Sequence, residues 1–234
     1  MWRVDLYTPF NILWNIILVG GSIVLFFAPF VLLFFLKHRQ QIIEKRPGFN
    51  QFMDRFFDSP YLNWLVLLWA AAEAVIWFVI PEFLLLLIIF MKVKHRVNLL
   101  VYDIIGTVIG SIIGLSIHMS HPTMLSLPYV YEGMFARVHE WFQSMGVWGL
   151  VNQPFSGVPY KVFLNMAPEF GLNVLLFLLL ALVLRISRYA IFYGIFWLAY
   201  PALHRFVYKN YMALFIAAII IFSLLLMRVS SLYP

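Results

Sequence analysis

Long apolar stretches constrain this chain more than any other feature of its sequence. They recur from Leu13 to the C-terminus, and a helix needs only about 20 such residues to cross a hydrocarbon layer about 30 Å thick. Of the 234 residues, 64% are hydrophobic and 11% are charged, whereas soluble domains carry about 25% charged residues. A soluble fold this apolar could not cover its own surface. The sequence therefore predicts one all-α integral membrane domain over residues 1–234.

The apolar stretches predict membrane segments of two kinds. Uninterrupted stretches are expected to be simple transmembrane helices, at about residues 13–36, 98–118, 189–203 and 211–227. Two stretches contain helix breakers and are expected to be re-entrant hairpins, which enter and leave on one side of the membrane, at residues 61–97 and 147–184. We expect the first helix to be retained, because it is longer than a signal peptide's apolar region, with Thr8 as its N-cap and Pro9 as its first residue.

Basic residues flank the first predicted hairpin on both sides. The polar loop before it is rich in Lys and Arg, and Lys92, Lys94 and Arg96 follow it. Because basic loops prefer the cytoplasmic side, a segment that is basic at both ends is expected to return to the side it came from. The same rule places the N-terminus outside and makes the second hairpin enter from the opposite face.

The two predicted hairpins share a short sequence pattern. The tetrapeptide at 80–83, with Pro81 and Glu82, is similar to that at 167–170, with Pro168 and Glu169, and each is followed by an apolar run. Two interrupted apolar segments at corresponding positions are typical of transporters built as inverted repeats, whose site lies near the membrane midplane. The pattern thus favours two oppositely oriented hairpins.

Four acidic residues lie inside or beside apolar segments, namely Glu73, Glu82, Asp103 and Glu169. A charge at the bilayer centre costs about 2.5–3.5 kcal/mol, so such residues usually face a wet cavity or a charged partner. Pro81 removes a backbone donor and is expected to free carbonyl groups beside Glu82. We therefore predict that these acids belong to a substrate or proton site.

Less specific interpretations remain open for the same residues. The Pro81-Glu82 pair and the breakers at 154–159 are also compatible with ordinary turns at an aqueous surface. Glu73 lies in the apolar sequence LLWAAAEAVIWF, and its alternative role is a structural ion pair with Lys161 or with an arginine.

Asp103 opens a helix with a regular pattern of small residues. At 100° per residue, Asp103, Gly106, Gly110 and Gly114 fall within an arc of about 80°. Small residues at every fourth position let a second helix pack closely. Packing explains the glycines, but it does not explain the acid.

Lys161 follows the helix breakers Pro154, Gly157 and Pro159. A buried lysine near Glu73 is expected to bind an anionic headgroup or to form an ion pair sensitive to protonation. The alternative is that its ammonium group reaches out to the membrane surface.

The remaining composition excludes several functions. There is no cysteine, and the histidines at 118, 121 and 139 lack the pattern of a metal site. No Ser-His-Asp arrangement, phosphate-binding loop or dinucleotide-binding turn is present. The basic residues lie between apolar stretches and do not form one patch, as a nucleic-acid-binding surface would. We therefore expect no metal, no cofactor, no nucleic acid and no enzymatic activity.

Four motifs between about residues 62 and 189 follow the order found in a known family of membrane proteins. They are Glu73 with Pro81-Glu82, the series Asp103, Gly106, Gly110 and Gly114, the sequence PFSGVPYKVF at 154–163, and Arg185 with Arg188-Tyr189. This arrangement resembles the DedA family, also called the VTT or SNARE-associated domain, and especially its YqaA-like branch. Family members often carry two arginines around the second hairpin turn, whereas this chain has Phe155 and Lys161 there.

The resemblance implies that phospholipid or polyprenyl phosphate moves between leaflets of a bacterial inner membrane, often with protons. In that scheme Glu73 and Glu82 take up protons, and Lys161 guides a lipid phosphate together with Arg185 and Arg188, which are expected nearer the surface. The alternatives are a secondary transporter of a small ion or solute, a non-transporting membrane scaffold and, with least support, a membrane-embedded lipid enzyme. The oligomeric state stays open.

Overall fold

A computed structural model describes residues 8–45, 48–80, 83 and 96–233, and within these ranges the regular structure is helical. A 3₁₀ segment at Gly146–Asn152 joins two of the helices. The α-helices of the described residues are labelled in chain order: α1 (Pro9–Lys45), α2 (Phe49–Phe57), α3 (Pro60–Val75), α4 (Arg96–Ile117), α5 (His121–Leu125), α6 (Glu132–Met145), α7 (Gln153–Ser156), α8 (Tyr160–Met166), α9 (Val174–Lys209) and α10 (Tyr211–Leu232).

Four of these helices are long and apolar enough to cross a membrane, which confirms the prediction of a helical membrane protein. They contain the spans Pro9–Glu44, Asn98–Ile117, Val174–Ile195 and Tyr211–Leu232. Few residues of these spans are buried within the protein, because a helix in lipid exposes apolar side chains to hydrocarbon. The chain is therefore embedded in the membrane.

The first helix begins where the sequence predicts and ends later. The backbone N–H of Asn11 donates to Oγ1 of Thr8 at 3.3 Å, so Thr8 caps the helix and Pro9 is its first residue. The helix continues past Leu36 to Lys45, with one non-helical residue at His38 (φ −111°, ψ 15°). The polar residues after Leu36 thus extend the helix instead of forming a loop.

The predicted boundary between the second hairpin and the next transmembrane helix is wrong. The sequence suggested that the hairpin ends at residue 184 and that a separate helix covers 189–203, but α9 runs without a break from Val174 to Lys209. The side chain of Asn173 caps its start by accepting from the Leu176 N–H at 3.0 Å. No helix breaker lies between 184 and 189, so the arginines there do not have to mark a helix end.

The glycine stripe brings α3 and α4 into close contact, as predicted. A Cβ atom at Gly106 would overlap the carbonyl oxygen of Leu67 on α3. One at Gly110 would lie 2.5 Å from the carbonyl oxygen of Ala71 and 2.8 Å from its Cα. Backbone atoms cannot move aside as side chains do, so only glycine permits this spacing of the two helices.

The second group of breakers separates α7 from α8. Pro154 lies in the first turn of α7, Gly157 follows that helix in the left-handed conformation (φ 77°), and Pro159 is the N-cap residue of α8. The predicted interruption of the chain at these residues is thus present. After this interruption a new helix starts at Tyr160, directly before Lys161.

We expect Gly157→Ala to destabilise the protein more than Gly171→Ala does. Both glycines have positive φ (77° and 58°), so each substitution carries the left-handed penalty of about 1–2 kcal/mol. A Cβ at Gly157 would also lie 2.8 Å from Cγ2 of Val229, whereas one at Gly171 meets no atom within 4 Å. Unfolding in mixed micelles should show an extra loss of about 1–3 kcal/mol for Gly157→Ala.

The double variant Gly157→Ala/Val229→Ala tests this explanation. It should bring the loss at Gly157 close to that at Gly171, after correction for Val229→Ala alone. Equal losses for the two single alanine variants would show that the contact with Val229 has no energetic effect.

Candidate functional site

Four charged side chains from four different helices are buried in the protein. Glu73 lies on α3, Asp103 on α4, Lys161 on α8 and Arg185 on α9, and they are 5%, 0%, 2% and 6% exposed. We call this group the charge cluster. Burying any one of these charges alone would be costly, so their collection at one place requires that they stabilise each other or the backbone.

Arg185 joins the two acids of the charge cluster. Its Nη2 donates to Oε2 of Glu73 at 2.5 Å, and its Nε lies 3.8 Å from Oδ2 of Asp103. Nε also donates to the hydroxyl oxygen of Tyr189 at 3.2 Å, one turn further along α9. The sequence had suggested that Arg185 lies nearer the surface, but it is buried. The ion pair of Glu73 with an arginine, which the sequence left open, is present.

Lys161 binds the broken end of α3 instead of pairing directly with an acid. Its Nζ donates to the carbonyl oxygens of Ile76 at 3.0 Å and of Trp77 at 3.2 Å. Another carbonyl in this break, that of Val79, accepts from the indole Nε1 of Trp69 at 2.8 Å. The suggestion that Lys161 extends to the membrane surface is therefore wrong.

These hydrogen bonds explain how α3 ends without exposing its backbone. The last carbonyl groups of a helix have no partner within that helix, and irregular backbone inside a membrane is tolerated only where it is buried in protein or faces water. Lys161 supplies three donors and a positive charge at the negative end of the α3 dipole. A lysine from the second predicted hairpin thus supplies hydrogen bonds to the backbone carbonyls that the first one leaves without helical partners.

A small polar cavity adjoins the charge cluster. It has a volume of about 10 Å³, which is room for about one water molecule. Its polar lining comes from five side chains: Thr107, Gln153, Tyr160, Arg185 and Arg188. The hydroxyl of Tyr160 lies 3.0 Å from that of Ser111, which in turn donates to the carbonyl oxygen of Thr107 at 2.7 Å. Polar groups therefore continue from the charge cluster along α4.

An apolar groove of about 450 Å³ lies on the other side of Tyr189, between α4 and α9. Leu100 and Ile104 form one wall, and Ile186 and Tyr193 contribute to the other. Tyr189 is 4% exposed, lines this groove and binds Arg185 through its hydroxyl. Tyr189 thus contacts both the apolar groove and the charge cluster.

Some residues predicted for the site are not part of the charge cluster. Glu169 is exposed in the turn after α8, because α8 ends at Met166 and its last buried residues point into the protein. It therefore does not join the charge cluster. Arg188 is partly buried and lines the small cavity. Pro81 and Glu82 lie outside the described residues.

The site predicted from the sequence did not include three aromatic contributors, Trp69, Tyr160 and Tyr189. The indole N–H of Trp69 donates to a carbonyl in the break after α3, and the hydroxyl of Tyr160 bonds to that of Ser111 on α4. The hydroxyl of Tyr189 accepts from Arg185. Aromatic residues are abundant in this chain, so the type alone carries no signal. The position of Tyr160 beside Lys161, and of Tyr189 four residues after Arg185, was the available clue.

Among the described residues, no group of three His, Asp or Glu side chains is placed to hold a metal ion.

Comparisons with known proteins give one relative of unknown function. A stretch of 120 residues, 50% of this chain, is 29% identical to an uncharacterised protein from Haemophilus influenzae, of which it covers 62%. The chain thus spans less than two thirds of that relative. No protein-family model matches the chain. No solved structure matches it either.

Proposed function

We propose that this protein moves a lipid phosphate, either a phospholipid or a polyprenyl phosphate, between the membrane leaflets with the help of protons. The observation that carries the proposal is the charge cluster, which places two acids and two cations in the interior of a membrane protein. Intramembrane charges usually mark an ion or substrate path. The resemblance to the DedA family favours a lipid as the cargo.

In this proposal Arg185 alternates between the acids and the lipid phosphate. When Glu73 is ionised, the guanidinium group is held by Glu73 and lies near Asp103. Protonation of Glu73 weakens that pair and frees donors for a phosphate, which guanidinium binds in bidentate geometry. Loss of the proton restores the pair and expels the phosphate. Uptake of one proton by Glu73 thus lets Arg185 change its partner from Glu73 to the lipid phosphate.

The apolar groove beside Tyr189 supports a lipid over a small hydrophilic solute. A groove of about 450 Å³ is within the range of ligand pockets, and it opens next to the residue that binds Arg185. We propose that the hydrocarbon chain stays in this groove while the headgroup passes Tyr189. The polar cavity holds only about one water molecule, so passage requires α4 and α9 to separate.

We further propose that the two broken segments are re-entrant hairpins of an inverted repeat that meet at the charge cluster. The support is the hydrogen bonding of Lys161 to Ile76 and Trp77, which ties the break after α3 to the helix that follows Pro159. Movement of either segment would then be transmitted to the other. Lys161 positions this junction and contributes positive charge to the path.

A leaflet-exchange assay in proteoliposomes tests the proposed function. Glu73→Gln and Lys161→Ala should each slow the transfer of a fluorescent anionic lipid by at least about tenfold, equivalent to about 1.4 kcal/mol in the barrier. A pH gradient should change the wild-type rate and leave that of Glu73→Gln unaltered. The matched control is Glu169→Gln, an exposed acid outside the charge cluster, which should transfer lipid at the wild-type rate.

The same preparations distinguish the other functions. Rates are compared per folded protein, measured by elution as the wild-type species at the assay temperature, so that loss of folding is not scored as loss of transport. Counterflow of a labelled solute without lipid movement would favour a secondary transporter. Absence of both activities in the folded wild type would favour a scaffold, and unchanged lipid transfer in Glu73→Gln and Lys161→Ala would remove both residues from the path.

A further inference from the structure

The break after α3 directs two backbone carbonyl groups at one cation. The carbonyl oxygens of Ile76 and Trp77 lie 3.0 Å and 3.2 Å from Nζ of Lys161. The backbone N–H groups of the same two residues both donate to the carbonyl oxygen of Ala72, at 2.7 Å and 2.6 Å. Their N–H groups are thus bound to the end of α3, while their carbonyl groups are bound to the lysine of α8.

The surroundings of these carbonyl groups favour a positive charge. They follow the C-terminal end of α3, where the helix dipole is negative. Glu73, one turn before Ile76, is the acidic neighbour of the Lys161 ammonium group, but its carboxylate is bound by Arg185. The carbonyl oxygens are therefore the direct ligands. In transporters with broken membrane helices, unwound carbonyl groups and helix C-terminal ends of this kind coordinate monovalent cations.

Contacts that do not involve Lys161 hold the break in its shape. The indole Nε1 of Trp69 donates to the carbonyl oxygen of Val79 at 2.8 Å. The ring of Trp77 packs against that of Phe26 at a centroid distance of 5.1 Å and against that of Trp69 at 6.1 Å. The two carbonyl ligands should therefore keep their places when the side chain at position 161 is shortened.

The helix that carries Lys161 is held independently as well. The hydroxyl of Tyr160 lies 3.0 Å from that of Ser111 on α4. The ring of Phe163 stacks on that of Trp141 on α6, with a centroid distance of 5.8 Å and an angle of 9° between the ring planes. The break and α8 thus face each other across a space that the Lys161 side chain fills.

We infer that the break after α3 is a binding site for a monovalent cation of ammonium size, and that Lys161 fills it with its own ammonium group. The distances of 3.0 Å and 3.2 Å are those of N–H···O hydrogen bonds, and Lys161 is only 2% exposed. A tethered cation loses little freedom on binding, so the protein needs no free inorganic cation at this place. The inference concerns stability and does not depend on the proposed function.

Rescue of Lys161→Ala by a free amine tests the inference on the detergent-purified full chain. Replacing sodium chloride by ethylammonium chloride at constant ionic strength should recover about half or more of the unfolding temperature that the variant loses, because a ligand of the folded state stabilises it. Ethanol, a neutral molecule of similar size, should recover none of it. The matched control is Lys209→Ala, which removes an exposed lysine from the last turn of α9 and should not respond to ethylammonium.

A second variant keeps the inference falsifiable if Lys161→Ala folds poorly. The chain has no cysteine, so Lys161→Cys introduces a single thiol. Alkylating the unfolded variant with 2-bromoethylamine gives a thioether analogue of lysine, whereas 1-bromopropane gives a neutral side chain of the same length. After refolding in mixed micelles, only the ammonium form should regain the wild-type unfolding temperature. Equal unfolding temperatures of the two alkylated forms, or equal effects of ethylammonium and ethanol on Lys161→Ala, would overturn the inference.

Discussion

Replacing Arg185 by methionine is expected to destabilise the protein by about 3–5 kcal/mol, the usual loss when one partner of a buried ion pair is removed. Arg185 is 6% exposed and is shared by Glu73 and Asp103. Its removal leaves two carboxylates without this cation in an apolar interior. The free energy of unfolding in mixed micelles measures the effect.

Neutralising the acids as well should restore most of that stability. The triple variant Arg185→Met/Glu73→Gln/Asp103→Asn contains no uncompensated charge at these positions, and buried ion pairs are often replaceable by neutral groups at little cost. The control is Arg137→Met, which removes an exposed pair with Glu140 at 2.7 Å and should cost at most about 1 kcal/mol. A loss for Arg185→Met as small as that of Arg137→Met would mean that the acids are neutral or solvated.

The substitution Gly110→Ala is expected to separate α3 from α4 and to cost about 3 kcal/mol or more, the upper end of the range for overpacked cores. The added Cβ would meet the backbone of Ala71 at 2.5 Å and 2.8 Å, and neither atom moves without displacing a helix. The displacement also shifts Glu73, two residues after Ala71, relative to Asp103. Lipid transfer should therefore fall together with stability.

Two other glycines serve as internal comparisons for Gly110. A Cβ at Gly21 on α1 meets no atom within 4 Å, so Gly21→Ala should be neutral or stabilising by up to about 1 kcal/mol through helix propensity. A Cβ at Gly114 meets the end of the Leu164 side chain, so its cost should be smaller than at Gly110 and should decrease in a Leu164→Ala background. If Gly110→Ala and Gly21→Ala melt alike, the close approach of α3 and α4 is not required.

Local features of the sequence were sufficient for the membrane class and for the interruption at Gly157 and Pro159. Apolar runs longer than a membrane crossing predict transmembrane helices because hydrocarbon requires internally satisfied backbone. Gly157 and Pro159 predict the break before α8 because only glycine favours the left-handed conformation and proline cannot donate. The spacing of Gly106 and Gly110 predicts a close helix contact. Each prediction depends on residues within a few turns of one another.

Helix boundaries were predicted less well where a charged residue in an apolar run was interpreted as the end of a helix. Arg185 and Arg188 suggested a boundary that α9 does not have. The error arose because a charge in an apolar run looks like a surface marker until its partner is known. Glu73 is that partner, 112 positions away in the chain, and no local pattern contains this information.

The sequence by itself determined that this protein lies in the membrane, that its backbone is interrupted at Gly157 and Pro159, and which small residues face a neighbouring helix, since periodicity and backbone stereochemistry act over a few residues. Only the tertiary structure decided that Arg185 pairs with Glu73, that Lys161 binds the carbonyls of Ile76 and Trp77, and that Glu169 stays exposed. These outcomes depend on which helices meet, and a buried charge is stabilised by whichever partner the packing brings within hydrogen-bonding distance.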